Sequence, residues 1–262
     1  MRRLAPLSLC ALALAACSSD EERPQGSATV GADDEEPSLV GVADRTLEER
    51  ARFSLDATIE GLGDPIDLTA SGTADFPRDR SRMELDFSEI AQAGGAATAA
   101  ADWRGEAVYV NDRVFVRIPG LTKALPERVD WLLVDADTLA EQAGPQFNAP
   151  DPGEFVTFVD AIADDAEVIG EEAVSEVDTT HFRGTVDVDE LPSIARPDDR
   201  VQLASYARRL KTAGIERFPL DVWVDDEGLV RRLRTEYEGY RTGGPELTLL
   251  TTVEPSSPAR SG

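Results

Sequence analysis

The chain has 262 residues, with 51 aspartates and glutamates against 26 lysines and arginines, so its formal net charge at pH 7 is −25. Binding to nucleic-acid phosphates needs clustered cations, but the arginines here are scattered among about twice as many carboxylates, which excludes nucleic acid as a partner. The same charge disfavours electrostatic binding to anionic lipid headgroups. Membrane contact is therefore expected through a lipid anchor or through apolar surface.

Residues 1–16 have the composition of a lipoprotein signal peptide. Two arginines precede an apolar run over residues 4–14, and two alanines leave room for a signal peptidase. The run is shorter than the roughly 20 apolar residues that span a bilayer. Leu14-Ala15-Ala16-Cys17 resembles a bacterial lipobox, in which the cysteine thiol receives a diacylglycerol, so Cys17 is the predicted lipidation site. The alternative is an ordinary signal peptide, with Cys17 incidental.

The next segment, residues 17–45, is predicted to be an acidic disordered tether. It is rich in serine, glycine, proline and carboxylates, including the run 33–36, and has too little apolar content to offset the entropy lost on ordering. A single domain is predicted over 46–254, followed by a disordered tail over 255–262. Both cysteines lie at or before Cys17, so no disulfide is expected within the domain.

From residue 51 onward, apolar side chains recur with a period of two. This alternation predicts strands that are wet on one face, at 51–60, 66–75, 82–87, 108–110, 114–118 and 131–134. Such one-sided strands favour an antiparallel sheet, since parallel strands are usually apolar on both faces. The Ala-rich stretch 91–101 is either a short helix or a loop.

Helix signals appear in the second half of the chain. A turn or two of helix is predicted over 137–143, and Asp151-Pro152 supplies an N-cap followed by proline at the first helical position. A later helix opens at Pro197 and ends near Gly214. Its predicted apolar side carries Val201, Ala204, Ala207 and Leu210. Strands are predicted at 168–170, 174–188, 220–224, 229–237 and 247–253.

Motifs for catalysis or metal binding are missing from the sequence. His181 is the sole histidine, and without a Gly-x-Ser-x-Gly elbow to present a serine it is predicted to be an ordinary strand residue. The acidic pairs at 164–165, 198–199 and 225–226 lack EF-hand spacing, and a histidine-ligated zinc site needs more nitrogen or sulfur ligands. No enzyme, catalytic residue, metal or cofactor is therefore predicted.

The apolar residues are then the informative ones. A sheet face covered incompletely by two or three short helices would enclose an apolar cavity, the usual form of a small-ligand site, whereas complete coverage would give an ordinary packed core. Both alternatives remain open on the pattern alone. The cavity-lining candidates are Phe53, Leu55, Ile59, Leu68, Met83, Leu85, Phe87, Phe155, Phe158, Val159, Ile162, Val222 and Val224.

Taken together, these features resemble the actinobacterial LppX/LprG-type lipoproteins, which belong with the periplasmic carrier LolA. The resemblance rests on the lipobox, the acidic tether, the opening strands, the central helix and the hairpin Trp223-Val-Asp-Asp-Glu-Gly-Leu-Val-Arg-Arg, and covers residues 50–253. It implies an α+β, LolA-like fold: a curved antiparallel half-barrel with a few helices covering its concave face. It also implies a cavity for lipid acyl chains, with no catalytic signature.

Two functional hypotheses follow. The first is a lipoprotein anchored on the extracytoplasmic side of the cell membrane, which binds lipid or glycolipid acyl chains and helps carry them across the envelope, with an envelope transporter as a candidate partner. Each buried methylene would contribute about 0.8 kcal/mol without charge recognition. The second is a lipid-anchored ectodomain with a filled cavity, which meets a basic protein through its acidic face in a binding or signalling role.

Overall fold

The computed structural model describes residues 37–61, 64–93, 103–110, 113–123, 129–134, 152–197, 200–240 and 247–256. The predicted signal peptide, Cys17, the tether up to residue 36 and the predicted helical turn at 137–143 lie outside these residues. Within them, no helix is long and apolar enough to cross a membrane.

Eleven strands form one antiparallel sheet in the described residues, in the order β6-β5-β4-β3-β2-β1-β11-β10-β9-β8-β7. The strands are β1 Arg50–Glu60, β2 Ile66–Asp75, β3 Arg80–Asp86, β4 Arg104–Val110, β5 Arg113–Arg117, β6 Leu132–Val134, β7 Glu167–Val174, β8 Val177–Asp187, β9 Arg217–Asp225, β10 Val230–Tyr240 and β11 Leu247–Ser256. The sheet is curved and does not close, since β6 and β7 are its edges. The predicted α+β fold with a curved antiparallel sheet is thus confirmed.

Short helices accompany the sheet. They are α1 Val42–Leu47, α2 Ser88–Ala93, α3 Pro119–Thr122, α4 Pro152–Thr157, α5 Leu191–Ile194 and α6 Arg200–Thr212, and α4 continues into a 3₁₀ turn over Phe158–Ala161. The ambiguous stretch 91–101 is helical up to Ala93, and its remainder lies outside the described residues. The helix predicted from Pro152 begins at that residue, as its fixed φ favours.

The structure corrects the predicted apolar side of α6. Its buried stripe is Leu203, Tyr206, Ala207 and Leu210, which follow the i, i+3, i+4, i+7 spacing of one helix face, whereas Val201 is 80 % exposed. Val201 precedes the stripe by two positions and so points away from it. The predicted stop is confirmed, because Gly214 adopts a φ of +89° and the Ile215 N–H donates to the Leu210 carbonyl at 2.9 Å.

The structure also corrects both predicted domain limits. Leu39 and Val42, which were assigned to the tether, are buried in the core, and the Val230 N–H donates to Thr46 Oγ1 at 3.1 Å. The compact unit therefore begins at Pro37. At the other end, Pro255 pairs with Phe53, so β11 extends into the predicted tail. Since residues 37–256 supply the whole described core, we expect this segment to fold without the preceding residues.

Most of the helical packing lies on one face of one part of the sheet. We call the face that carries Phe53 and Val222 the inner face and the opposite one the outer face. α1, α4 and the 3₁₀ turn contact β8, β9 or β10, while α2 contacts β2. Gly184 on β8 makes this packing close, because a Cβ there would lie 2.6 Å from the Ile162 Cβ.

Candidate functional site: the apolar inner face

A continuous row of inner-face residues crosses the sheet from β8 to β4. Cross-strand pairing places its members side by side, and we call the set the inner row. In order they are Phe182, Val222, Leu233, Val253, Leu55, Ala70, Leu85 and Gly105. The pairing register is continuous through these eight strands. The exposed fractions of the residues in the row can therefore be compared from one part of the face to another.

The row is sealed where it crosses β9, β10 and β11. Val222, Leu233 and Val253 are at most 2 % exposed. Phe158, from the 3₁₀ turn, lies above this region, with its ring centroid 5.7 Å from that of Phe218 and 5.6 Å from that of Tyr206. We call the inner face of β8 to β11, with the helices packed on it, the closed half. Its side chains meet other side chains and leave little accessible surface.

The row becomes more accessible where it crosses β1, β2 and β3. Leu55 is only partly buried, and Ala70 and Leu85 are 9 % and 8 % exposed. Comparable exposures of 7–9 % occur at Leu68, Tyr109, Val114 and Val116. We call the inner face of β1 to β5 the β1–β5 half. It is apolar throughout the inner row, and its coverage varies, since Leu55 is only partly buried whereas Phe53 and Met83 are 4 % and 5 % exposed.

Small residues shape the β1–β5 half. Gly72 lies between Phe53 and Met83 in the row next to the inner row, and Ala107 follows Met83. A Cβ on Gly72 would collide with the Arg82 carbonyl oxygen on β3, so the strands approach closely there and only glycine fits. Gly105 has the same relation to β5. Glycines at such points permit the strong bending that a half-barrel requires.

The predicted cavity-lining residues all belong to the hydrophobic core or pack against it. The structure divides them between the two halves of the inner face. Those in or beside the β1–β5 half are Phe53, Leu55, Ile59, Leu68, Met83, Leu85 and Phe87. Those in the closed half are Phe155, Phe158, Val159, Ile162, Val222 and Val224. Sequence reasoning missed Ala70, Ala107, Tyr109, Val114 and Val116, although the alternation that marks β4 and β5 also places most of them inward.

The outer face of β1 to β5 carries a groove of about 860 Å³ with a different chemistry. Charged side chains of β3, β4 and β5 line it together with Ala70, Leu85 and Gly105 of the inner row, and Glu106 is buried between Arg82 and Arg117. Partial burial works to raise the pKa of Asp86, but hydrogen bonds from Ser88 and Arg104 outweigh it and hold the pKa below its usual value. Paired charges of this kind do not suit an acyl chain.

His181 lies on the outer face of β8, as predicted for an ordinary strand residue. Its ring stacks on Trp223, with centroids 4.1 Å apart, and its Nε2 is 2.7 Å from Asp221 Oδ1. The same carboxylate oxygen accepts a hydrogen bond from Arg183 Nε at 2.8 Å, and that interaction raises the pKa of Arg183. These contacts tie β8 to β9 through an aromatic stack and an ion pair.

Comparison with known proteins adds the following. No family model matches the chain. An uncharacterized 31.2 kDa protein from the rplA-rplJ intergenic region of Streptomyces griseus is 24% identical over 235 residues, which is 83% of this chain and 76% of that protein. The fold and the inner face define a curved antiparallel sheet with one apolar face.

Two solved structures are similar to most of the chain. LprF from Mycobacterium bovis has a TM-score of 0.45 at 12% identity, covering 86% of this chain and 92% of that one. The Mycobacterium tuberculosis lipoprotein LppX has a TM-score of 0.44 at 11% identity, covering 83% of this chain and 93% of that one.

Proposed function

We propose that this protein is a lipid-anchored, extracytoplasmic lipoprotein that binds the acyl chains of a lipid or glycolipid against the β1–β5 half and shields them during transfer across the envelope. The observation that carries the proposal is the change along the inner row. Its residues are at most 2 % exposed from Val222 to Val253, whereas Leu55, which does not line the outer groove, is only partly buried. An apolar surface that is less completely covered offers an acyl chain a place to lie.

The chemistry of the β1–β5 half supports the same ligand class. An acyl chain needs an elongated apolar surface, and the inner row contributes Leu55, Ala70 and Leu85 to such a surface. On the same face of β3, the buried Ser81 hydroxyl has no hydrogen-bond partner and is a polar exception. Burial of about ten methylenes would contribute on the order of 8 kcal/mol before the cost of ordering the chain. The headgroup would not need a dedicated charged pocket.

The N-terminal sequence supports attachment to the membrane. A single acyl chain holds a protein only marginally, whereas the two or three chains of a lipidated Cys17 would hold it stably. As a flexible coil, residues 18–36 would span about 25 Å, which keeps the domain close to the headgroups. Lipid would then exchange over a short distance, and an envelope transporter would supply or receive it.

Native mass spectrometry of the segment 37–262 tests the proposal. We expect the segment, purified from a bacterial host, to carry adducts with the masses of membrane lipids, and to bind a fluorescent fatty acid that unlabelled fatty acid displaces. The segment purifying at its bare mass and binding no fatty acid would contradict the proposal. Thermal unfolding of the same sample provides the control that it is folded.

A second candidate function is a protein-binding ectodomain with a filled core. It is favoured by Phe53, Ile59 and Met83 on the inner face, which are at most 5 % exposed and so are packed as a filled core requires. With a net charge of −25, such an ectodomain would meet a basic partner. Absence of bound lipid, together with a partner that crosslinks at low salt and is lost at high salt, would favour this function over lipid binding.

A further inference from the structure

The outer face of the sheet carries exposed apolar side chains at the β6 edge. Leu133 is 63 % exposed and Trp131, just before β6, is 37 % exposed. Leu133 lies opposite Phe115 on β5, which places both side chains on the outer face, away from the proposed acyl-chain surface. Large apolar side chains grouped on an exposed edge mark an interaction surface more often than single ones do.

Arginines surround these apolar residues. The Arg117 guanidinium lies 5.2 Å from the centroid of the Trp131 ring, and Arg80 and Arg113 both pair with Val110 across β3, β4 and β5. Arg80 and Arg113 are exposed. We call Phe115, Trp131, Leu133, Arg80, Arg113 and Arg117 the edge patch.

The charge of the edge patch is opposite to that of the chain as a whole. Carboxylates outnumber cations by 51 to 26 in the sequence, whereas on the outer face of β3 to β5 the described arginines outnumber the carboxylates by five, Arg80, Arg82, Arg104, Arg113 and Arg117, to three, Glu84, Asp86 and Glu106. Glu106, the carboxylate beside them, is buried and contacts both Arg82 and Arg117, while Glu84 and Asp130 lie at the border of the patch. The overall negative charge predicts that anionic headgroups are repelled, and this region is a local exception to that repulsion.

We propose that the edge patch docks the domain on an anionic membrane surface. Tryptophan and leucine enter the boundary between headgroups and acyl chains, and arginines attract anionic headgroups while their stems lie on apolar surface. The patch combines both features on one exposed strand edge. This docking does not depend on acyl-chain binding by the inner face, and it would orient the domain in addition to tethering it.

Cosedimentation of the segment 37–262 with lipid vesicles tests this proposal. We expect binding to vesicles that contain phosphatidylglycerol and at least a several-fold loss on pure phosphatidylcholine or at high salt. Arg80→Glu with Arg113→Glu, and separately Leu133→Ser, should each lower binding several-fold. The matched controls lie on the exposed side of α6, where Arg208→Glu and Val201→Ser should leave binding unchanged.

Tryptophan fluorescence gives a second, independent measurement. Brominated lipids should quench the wild-type segment, and Trp131→Phe should remove most of that quenching, because Trp223 is buried and Trp103 is partly buried. Absence of binding to phosphatidylglycerol vesicles would overturn the proposal. Edge-patch and α6 variants losing binding equally would also overturn it, as would edge-patch variants changing only the oligomeric state, which would assign β6 to pairing with a second copy.

Discussion

The two halves of the inner face are built from the same kind of strand but are covered differently. In the closed half, the 3₁₀ turn presses Phe158 and Ile162 onto β8 and β9, and Gly184 makes room for the close approach. In the β1–β5 half, Gly72 and Gly105 serve the bending of the sheet instead. Gly184 therefore allows the end of the 3₁₀ turn to pack closely on the sheet. Gly72 and Gly105 instead allow neighbouring strands to approach closely and the sheet to bend.

Two buried tyrosines in the closed half satisfy each other's hydroxyl groups. Tyr206 and Tyr237 share a buried hydrogen bond of 2.9 Å between their hydroxyl groups. Burial raises the pKa of Tyr237 to about 12, although its hydrogen bonds to Tyr206 and Thr235 act in the opposite direction. Buried hydroxyl groups need a hydrogen-bond partner to offset the hydration they lose, and each of these two supplies one to the other.

Truncation of core side chains should separate the two halves most strongly. Phe158→Ala removes a ring that packs on Phe155, Tyr206 and Phe218, and should lower the free energy of unfolding by about 3–5 kcal/mol. Leu85→Ala in the β1–β5 half should cost about 2 kcal/mol, because its surroundings are less tightly packed. Urea unfolding of both variants provides the measurement. Equal losses would contradict the division into two halves.

Replacing an alanine by phenylalanine should lower stability in the closed half and fatty acid binding in the β1–β5 half. Ala207→Phe forces a ring into the closed half and should cost about 1–3 kcal/mol of stability. Ala70→Phe should cost less than about 1 kcal/mol but should displace the acyl chain, so fatty acid binding falls at least tenfold. Thermal unfolding and fluorescence titration measure the two effects. Unchanged fatty acid binding by a folded Ala70→Phe variant would place the ligand elsewhere.

The tyrosine pair offers a finer test of dryness in the closed half. Tyr206→Phe leaves the buried Tyr237 hydroxyl without one of its partners and should lower the free energy of unfolding by about 1–2 kcal/mol. Tyr206→Phe combined with Tyr237→Phe removes both hydroxyls and should recover part of that loss. A Tyr206→Phe variant as stable as the wild type would indicate that water reaches the Tyr237 hydroxyl and replaces the lost partner.

The smallest expected effect concerns Asp160, on the 3₁₀ turn. Burial raises the pKa of Asp160, and the charge of Asp44 adds to this effect while Arg196 opposes it. The folded state therefore holds the proton more tightly than the unfolded chain, so stability falls as pH rises from 3.8 through the folded pKa. Asp160→Asn should raise the melting temperature slightly at pH 7.

The increase in melting temperature of Asp160→Asn should vanish in acid, where the wild-type Asp160 carboxyl is protonated in both the folded and the unfolded state. Melting curves at several pH values measure it, and Glu190→Gln, at an exposed position, is the matched control. If Asp160→Asn were less stable than the wild type at pH 7, the carboxylate would have a stabilising contact that outweighs its burial.

The strands were predictable because their signal is local. Alternation at 51–60, 66–75 and 82–87 reports directly which side chains face the core, and the observed strands agree closely with those ranges. The turn between β7 and β8 was not predictable in this way. Ser175 and Glu176 both adopt positive φ values, of 50° and 68°, where asparagine or glycine is the usual signal.

Features that depend on contacts between residues far apart in the chain could not be predicted from the sequence. Leu39 and Val42 form a short apolar run beside an acidic stretch, and only the pairing of Thr46 with Val230 reveals that this run belongs to the core. The division of the inner face was hidden for the same reason. Leu85 and Val222 occupy equivalent places in alternating strands, and what separates them is the packing of helices from elsewhere in the chain.

The central claim is that acyl chains lie on the β1–β5 half, and photo-crosslinking tests it most directly. The segment 37–262 would be loaded with a fatty acid that carries a diazirine in its chain, irradiated, digested and analysed by mass spectrometry. We predict crosslinks to peptides from β1 to β5, including those that contain Leu55 and Leu85. An excess of unlabelled fatty acid should abolish these crosslinks. Crosslinks confined to the closed half or to the outer face would contradict this account of the molecule.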